Sequence, residues 1–184
     1  MSAVEGADEA EIGPLGASDV EQVWAFFARI PEGDRTFFKE PVTGLDTVRG
    51  WLGMPGATRV IARLSGAVVG YVAVIPGVGW SSHVGELRLV VDPQVRRSGL
   101  GHRLARHGLV AALEQGLTKV VVEVVSDQTS AIALFTGLGF VAEALLEDHV
   151  RDADGRLNDL IVLAHRTTDN WQLLSLVGLD EPLD

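Results

Sequence analysis

The sequence predicts a mixed α+β domain whose mostly antiparallel central sheet has about six or seven strands and is flanked by about four helices. Three observations support this class. Apolar residues recur every three to four positions near the N terminus, which is typical of amphipathic helices. From Thr58 onward they alternate or run together, which is typical of strands. Two turn-forming segments, residues 65–67 and 152–155, lie between β-rich runs and predict hairpins.

The first part of the chain predicts one strand and two helices. A short strand is predicted from Glu11 to Leu15. Ser18 and Glu21 then have the spacing of a capping box, which predicts the start of a helix. The apolar face of that helix consists of Val20, Val23, Trp24 and Phe27. A second helix is predicted from about Asp46 to Met54.

The remainder of the chain alternates between strands and two further helices. The predicted strands are Thr58–Leu64, Val68–Ile75, His83–Val91, Lys119–Val125, Val141–Val150 and Leu157–Leu163. A long helix is predicted from about Gly99 to Gln115, because its apolar and small residues form one stripe. A short helix is predicted from about Asp127 to Thr136. The resulting order is β-α-α-β-β-β-α-β-α-β-β.

The composition excludes several classes of protein. Hydrophobic residues make up 47% of the 184 positions and charged residues 22%, as in an ordinary globular protein. No apolar run approaches the ~18 residues needed to span a bilayer, and the acidic N terminus lacks a signal-peptide pattern. We therefore expect a cytoplasmic protein that does not bind membranes. The absence of cysteine excludes disulfides and thiolate metal sites.

Length and charge predict the domain organisation and the kind of partner. We expect one domain at residues 10–167, a flexible acidic segment at 1–9 and a tail of uncertain structure at 168–184. The formal net charge of −10 argues against nucleic acid, which binds basic surfaces. An acidic surface suits a cationic partner better. No group of His, Asp and Glu has the spacing of a zinc site, so no metal is expected.

The segment Arg96-Arg97-Ser98-Gly99-Leu100-Gly101 joins the end of a predicted strand to the start of the long helix. The first N–H groups of a helix have no intrahelical partner and lie at the positive end of its dipole, so they bind anions, phosphate in particular. Gly99 and Gly101 would let a diphosphate approach the backbone, and the two arginines add charged donors. A dinucleotide-binding loop would need a third glycine where Leu104 stands.

The spacing Arg96-x-x-Gly99-x-Gly101 resembles the (Gln/Arg)-x-x-Gly-x-(Gly/Ala) loop of the GNAT superfamily of N-acyltransferases. A second segment, Ala131 to Phe140, is similar to the family's Asn-x-x-Ala-x-x-x-Tyr-x-x-x-Gly-Phe pattern. The predicted order of elements also matches. The resemblance implies a GNAT-like fold and an enzyme that moves an acetyl or similar acyl group from acyl-CoA to an amine acceptor.

The resemblance also implies a set of cofactor-binding residues. They are Leu89, Val91, Arg96, Arg97, Ser98, Gly99, Leu100, Gly101, His102, Gln128 and Phe135. Phe135 stands where many family members have a tyrosine that protonates the departing CoA thiolate. No general acid is therefore expected at Phe135, which is expected to pack against the pantetheine arm. Gln128 stands where asparagine is common and can keep an amide hydrogen bond to the cofactor.

The expected mechanism is direct attack of a neutral amine on the thioester in a ternary complex. The resemblance implies that a backbone N–H of the strand ending at Val91, that of Val90, polarises the thioester carbonyl. Glu86 is the first candidate for the base and Glu123 the second. The alternative is structural: Glu86 would pair with Arg88 or Arg63, and Glu123 would need a partner as a polar group in a valine-rich strand.

Four side chains are expected to line the acceptor site: Arg35, Phe38, Glu123 and His149. Their residue types do not identify the amine, which could be a small polyamine, an amino acid, an antibiotic or a protein amino group. Two other functions remain open. One is a non-catalytic acyl-CoA sensor or regulatory module of the same fold, which the phenylalanine at 135 would allow. The other is a structural subunit whose interface, instead of its core, would contain Trp24, Trp51, Trp80 and Trp171. Whether the protein forms a homodimer is open for either function.

Overall fold

The computed structural model describes residues 9–35, 38, 39 and 41–167. The strands are β1 (Glu11–Pro14), β2 (Thr58–Leu64), β3 (Ala67–Pro76), β4 (Val84–Val91), β5 (Lys119–Val125), β6 (Val141–Arg151) and β7 (Leu157–Arg166). The helices are α1 (Val20–Arg29), α2 (Glu32–Arg35), α3 (Leu45–Leu52), α4 (Leu100–Glu114) and α5 (Thr129–Gly137). No helix in these ranges is long and apolar enough to cross a membrane.

The seven strands form one sheet in the order β1-β2-β3-β4-β5-β7-β6. Every pair of neighbours is antiparallel except β4 and β5, which are parallel. The parallel pair requires a crossover connection, and α4 provides it. The predicted fold class is thus confirmed. The short helix α2 was not predicted, because Pro31 and Gly33 suggested only a break.

The start of α1 differs from the predicted capping box. A 3-10 turn at Ala17–Asp19 precedes the helix, so α1 begins at Val20. The carboxylate of Asp19, instead of the Ser18 and Glu21 pair, accepts a hydrogen bond from the Gly16 N–H at 2.8 Å. Asp19 also forms an ion pair with Arg63 on β2 at 2.7 Å. This second contact fixes α1 against the sheet and depends on tertiary structure.

The two faces of the sheet carry separate apolar clusters. On one face α4 and α5 pack against the sheet, with Leu100, Leu104 and Leu109 of α4 almost fully buried. On the other face α1 and α3 pack through an aromatic group that consists of Phe26, Phe27, Trp51 and Tyr71. Successive side chains of a strand point to opposite faces, so β4 contributes Leu89 and Val91 to the first cluster and Val90 to the second.

The contact between α4 and the sheet yields a stability prediction. A Cβ at Gly108 would lie 2.7 Å from Leu87 Cδ1 and 3.1 Å from Val72 Cγ2, closer than carbon atoms pack. Gly108→Ala should therefore lower the free energy of unfolding by about 1–3 kcal/mol, the usual cost of overpacking. Gly50→Ala in α3 is the matched control, since its Cβ would meet nothing within 4 Å. It should stabilise by about 0.5–1 kcal/mol through helix propensity. Urea denaturation measures both; a Gly108→Ala protein as stable as the wild type would contradict the packing.

Candidate active site

A cleft opens in the sheet where β4 and β5 separate. The two strands are paired only at Val84–Lys119, Gly85–Val120 and Glu86–Val121. Beyond these pairs β4 continues to Val91 beside β3, and β5 continues to Val125 beside β7. The last residues of β4 therefore do not pair with the last residues of β5, and a gap separates the two strand ends. The cleft places backbone polar groups of β4 beside open space, where a ligand can bind them.

The hydrogen bonds between β3 and β4 decide which backbone groups face the cleft. The Asp92 N–H donates to the Val69 carbonyl at 2.9 Å, and the Gly77 N–H donates to the Val84 carbonyl at 2.8 Å. Hydrogen-bonded and non-bonded pairs alternate in an antiparallel ladder, so the even-numbered residues of β4 point their backbone groups at β3. Odd-numbered residues point theirs at β5.

The N–H predicted to polarise the thioester is therefore not in the cleft. Val90 lies opposite Tyr71 in a hydrogen-bonded pair, so its N–H is directed into the ladder with β3. The N–H groups of Leu89 and Val91 are directed at the cleft instead. The Val91 carbonyl also faces away from β3, since it accepts a hydrogen bond from Arg96 Nε at 3.3 Å. The prediction for Val90 therefore does not fit this register, because a shift of one residue along a strand reverses the direction of the backbone groups.

The start of α4 provides an uncapped helix N terminus beside this cleft. Gly99 is the N-cap, with a left-handed φ of 84° that favours glycine, and no side chain in the described part of the chain caps the helix there. The first intrahelical bond runs from the Arg103 N–H to the Gly99 carbonyl at 3.1 Å. The N–H groups of Leu100, Gly101 and His102 precede that bond and have no intrahelical acceptor. These groups are the candidate anion site that the sequence predicts, and they are named the anion site below.

Two arginines bring positive charge to the anion site. Arg97 is exposed and has a left-handed φ of 64°. Arg96 is held at the mouth of the cleft, since its Nη2 lies 2.8 Å from Asp34 Oδ2 of α2. A bound anion would compete with Asp34 for the Arg96 guanidinium. These are the two arginines that the sequence predicts as charged donors beside the helix start.

Close packing explains the glycine at position 101. A Cβ there would lie 3.0 Å from Leu134 Cδ1 of α5 and 3.7 Å from Val91 Cγ2 of β4. The first turn of α4 is thus wedged between the end of β4 and α5. His102, the next residue, is exposed at this helix start. Partial burial of its ring and the nearby Arg106 charge lower the pKa of His102, so the imidazole is neutral at pH 7.

One cavity of about 1280 Å³ joins the anion site, the cleft and the opposite face of the sheet. The predicted cofactor residues that line it are Leu89, Val91, Arg96, Arg97, Gly99, Gly101, His102, Gln128 and Phe135. Ser98 and Leu100 are not among its lining residues. Leu100 is fully buried in the core, and the Ser98 hydroxyl donates to the Val95 carbonyl. Both therefore offer a ligand only their backbone N–H groups.

Phe135 is mainly a core residue. Its side chain is 3% exposed and packs edge-on against Phe140, with ring centroids 5.2 Å apart. It still forms part of the cavity wall. A tyrosine hydroxyl at this position would need a partner inside the apolar cluster, so the phenylalanine suits its surroundings.

Two carboxylates and an ammonium group meet on the α1 side of the cleft. Lys39 Nζ lies 3.0 Å from Glu86 Oε2 and 3.0 Å from the Glu123 carboxylate. Arg88 Nε completes the group at 2.9 Å from Glu86 Oε1. Arg88 is thus the structural partner considered for Glu86, whereas Arg63 is paired elsewhere. Lys39 was missed, because it lies in an irregular segment, and nothing in the sequence relates it to strands β4 and β5.

The charged neighbours control the protonation of this cluster. Burial raises the pKa of Glu86, but hydrogen bonds and charges from Arg88 and Lys39 outweigh burial, so its pKa lies below the usual value. Burial lowers the pKa of Lys39, but the hydrogen bonds that Lys39 donates to Glu123 and Glu86 outweigh burial and raise its pKa. At neutral pH the cluster consists of an ammonium held by carboxylates. The space between the two carboxylates is thus occupied by a primary ammonium group, that of Lys39.

Two other predicted acceptor residues, Phe38 and His149, line the same cavity. Phe38 lines it and packs against Phe27, with ring centroids 5.5 Å apart. His149, on the exposed strand β6, also lines it. The side chain of Arg35 lies outside the described part of the chain. Among the described residues no three His, Asp or Glu side chains come together in a way that could hold a metal ion.

The three tryptophans of the described residues do not form a common surface. Trp51 is 6% exposed and belongs to the core, whereas Trp80 is 98% exposed in the loop before β4. Trp24 packs at the edge of the α1 cluster. Trp171 lies outside the described residues. The described tryptophans therefore give no support to the interface considered from the sequence.

Comparison with known proteins agrees with this architecture. The model of the acetyltransferase (GNAT) family matches residues 22–140. The match includes the cleft strands, the anion site and α5.

Individual relatives match either over less than half of this chain or at low sequence identity. Mycothiol acetyltransferase from Kocuria rhizophila is 41% identical over 36% of this chain and 22% of its own length. The [ribosomal protein bS18]-alanine N-acetyltransferase of Escherichia coli K12 is 33% identical over 41% of this chain, and the alignment spans about half (51%) of that protein. A GNAT superfamily phosphinothricin acetyltransferase from Sinorhizobium meliloti, solved in complex with acetyl-CoA, superposes with a TM-score of 0.75 at 20% identity, covering 85% of this chain and 88% of that one.

Proposed function

Since this chain belongs to the acetyltransferase (GNAT) family, we propose that it transfers an acetyl or similar acyl group from acyl-CoA to an amine by direct attack in a ternary complex. The observation that carries the proposal is the pairing of an uncapped helix start with a cleft between two separating strands. One part fits a diphosphate and the other fits an extended arm.

The residues at the start of α4 fit the diphosphate of an acyl-CoA. The N–H groups of Leu100, Gly101 and His102 are free of intrahelical bonds, and Arg96 and Arg97 add positive charge beside them. The glycine at 101 keeps a side chain out of the narrow space between β4 and α5. The family context supports the same group, because a structural neighbour was solved with acetyl-CoA bound.

The cleft strand β4 fits the role of holding the reacting carbonyl. When bound, the thioester supplies an activated acyl carbon and a sulfur leaving group. The Leu89 N–H is directed into the cleft and is positioned by the β3 ladder, so it is a pre-oriented hydrogen-bond donor. We assign to Leu89 the role first predicted for Val90. Val91, two residues further, offers a second N–H toward the anion site.

The cluster of Glu86 and Glu123 fits an acceptor that arrives as an ammonium ion. An alkylamine with a pKa near ~10 is protonated at neutral pH and must lose a proton before it attacks. Glu86 and Glu123 would hold the ammonium in place of Lys39 and take up that proton, directly or through water. The net charge of −10 favours the same class of acceptor. One relative, the [ribosomal protein bS18]-alanine N-acetyltransferase, is by its name an enzyme that acetylates an amine.

The absence of a hydroxyl at Phe135 does not prevent turnover. A thiol with a pKa near ~8.5 leaves as an anion without a general acid. We expect the protein to bind CoA and to release free thiol from acetyl-CoA only when a primary amine is present, with cationic amines preferred over neutral or acidic ones. A thiol assay across an amine library measures this, with CoA binding measured in parallel. Binding without amine-dependent release would instead favour the sensor function.

A further inference from the structure

The ammonium site between Glu86 and Glu123 is filled by a side chain of the same protein. Lys39 Nζ contacts both carboxylates at 3.0 Å. Its side chain is 46% exposed, and no regular helix or strand contains it. As a partly exposed side chain, Lys39 can change rotamer within the cavity that it lines. It presents the same chemical group that the proposed reaction consumes.

We propose that Lys39 is itself an acylation site, and that the protein transfers the acyl group from acyl-CoA to its own Lys39 Nζ when no other amine occupies the cluster. This inference rests on the proposed function, since it uses the same donor and the same cavity. It adds a modification site and identifies the acceptor class as a primary alkylamine of the lysine type.

The arrangement of β4 brings Lys39 and the thioester position into one space. Glu86 and Val90 point to the face of the sheet that carries Lys39, because side chains two and four residues apart share a face. Leu89 directs its N–H into the cleft between β4 and β5. Lys39, Glu86, Glu123 and Leu89 all line the same cavity. A lysine side chain that releases its carboxylate partners can therefore extend along β4 toward the acyl carbon.

The chemistry of the step balances without a further reagent. The Lys39 ammonium gives one proton to Glu86 or Glu123, which passes it to water. The neutral Nζ then forms a bond to the acyl carbon, and the bond between that carbon and the CoA sulfur breaks. The electron pair leaves with sulfur as the thiolate, and the second nitrogen proton is lost to solvent through the same carboxylates. The products are an amide at Lys39 and free CoA.

The sequence allows an unusually direct test, because the chain contains only two lysines, Lys39 and Lys119. Lys119 lies at the start of β5, paired with Glu143 and outside the cavity lining. After incubation of the full chain with acetyl-CoA alone, intact-mass and peptide-mapping spectra should show one acetyl group at Lys39 and at least about 100-fold slower acetylation of Lys119, the lower end of what a positioned base contributes. The rate per molecule should not depend on protein concentration, since the transfer is intramolecular.

Variants separate enzymatic transfer from chemical acetylation. Lys39→Arg keeps the positive charge and should remove the modification, whereas Lys119→Arg should leave it unchanged. Arg96→Ala with Arg97→Ala should slow Lys39 acetylation, because it weakens cofactor binding. An added cationic amine should protect Lys39. Acetylation of Lys39 that is no faster than that of Lys119, or that persists at the wild-type rate in the Arg96→Ala, Arg97→Ala double variant, would overturn the inference.

A measurement without acyl-CoA tests the geometry on which the inference rests. The pKa of Lys39 Nζ, followed by NMR in the free protein, should fall in Glu86→Gln and in Glu123→Gln, because each removes a carboxylate while Arg88 remains nearby. An unchanged pKa in both variants would contradict the cluster. If external amines are acetylated but Lys39 is not, the inference fails and the proposed function stands. If CoA does not bind, the proposed function fails first and the inference with it.

Discussion

Arg96→Ala combined with Arg97→Ala is expected to weaken CoA binding about 100-fold or more, measured by isothermal titration calorimetry. Each guanidinium is a charge-assisted donor, and loss of one such hydrogen bond costs about 1.5–3 kcal/mol. Arg96 must exchange Asp34 for the diphosphate, since these two side chains are 2.8 Å apart in the free protein. We therefore expect the smaller share of the loss from Arg96. A total near 3 kcal/mol corresponds to about two powers of ten in the dissociation constant.

The control for this pair must remove the same charge elsewhere. Arg49 and Arg156 are exposed and lie outside the cavity lining. The double variant Arg49→Ala with Arg156→Ala changes the net charge equally and should alter CoA affinity by less than about threefold, as expected for screened distant charges. Equal losses in both double variants would mean that overall charge, and not the helix start, attracts the cofactor.

The double variant Glu86→Gln with Glu123→Gln is expected to lower kcat for amine acetylation by about 100-fold to 10,000-fold, the usual contribution of a positioned base. It should leave the dissociation constant of CoA unchanged, because neither carboxylate lies at the anion site. Steady-state thiol release and calorimetry measure the two quantities separately. Glu114→Gln with Glu143→Gln is the matched control, since both are exposed and outside the cavity lining. A double glutamine variant at Glu86 and Glu123 with wild-type kcat would remove both from the mechanism.

The pH dependence follows from the same cluster. Arg88 and Lys39 hold the pKa of Glu86 below its usual value despite burial, so Glu86 is already a carboxylate at neutral pH. Protonation of Glu86 therefore does not limit the rate near pH 7. The acceptor amine, with a pKa near ~10, is the group that must lose a proton. The rate should rise with pH from about 7 to about 9 in the wild type, as more acceptor is deprotonated.

The fold class and the uncapped helix start at Gly99 could be predicted because their signals are local. Alternation of apolar residues identified the strands, and the glycines at 99 and 101 after a strand end identified the helix start. The family match confirms the resemblance, and the seven-stranded sheet confirms the fold class. The sequence could not show that Leu100 would offer a ligand only its backbone N–H. The direction of a side chain at a helix start depends on the elements that pack against it, and here the Leu100 side chain is buried in the core.

The geometry of the cleft could not be predicted from the sequence, because it depends on contacts between distant segments of the chain. Whether Leu89 or Val90 directs its N–H into the cleft depends on the hydrogen-bond register with β3, which is fixed by the contact between Asp92 and Val69. A pattern of side chains carries no information about that register. Lys39 was missed for a related reason. It is 47 residues from Glu86 in sequence and 84 from Glu123, and only the packed structure brings the three together.

A crystal structure of the protein with bound CoA tests the central claim most directly. We expect the diphosphate oxygens to lie about 3 Å from the backbone nitrogens at the start of α4, a normal hydrogen-bond distance. The pantetheine arm should lie between β4 and β5 with its sulfur near Leu89. A diphosphate bound at any other surface, or an arm that leaves the cleft between β4 and β5 empty, would contradict the account.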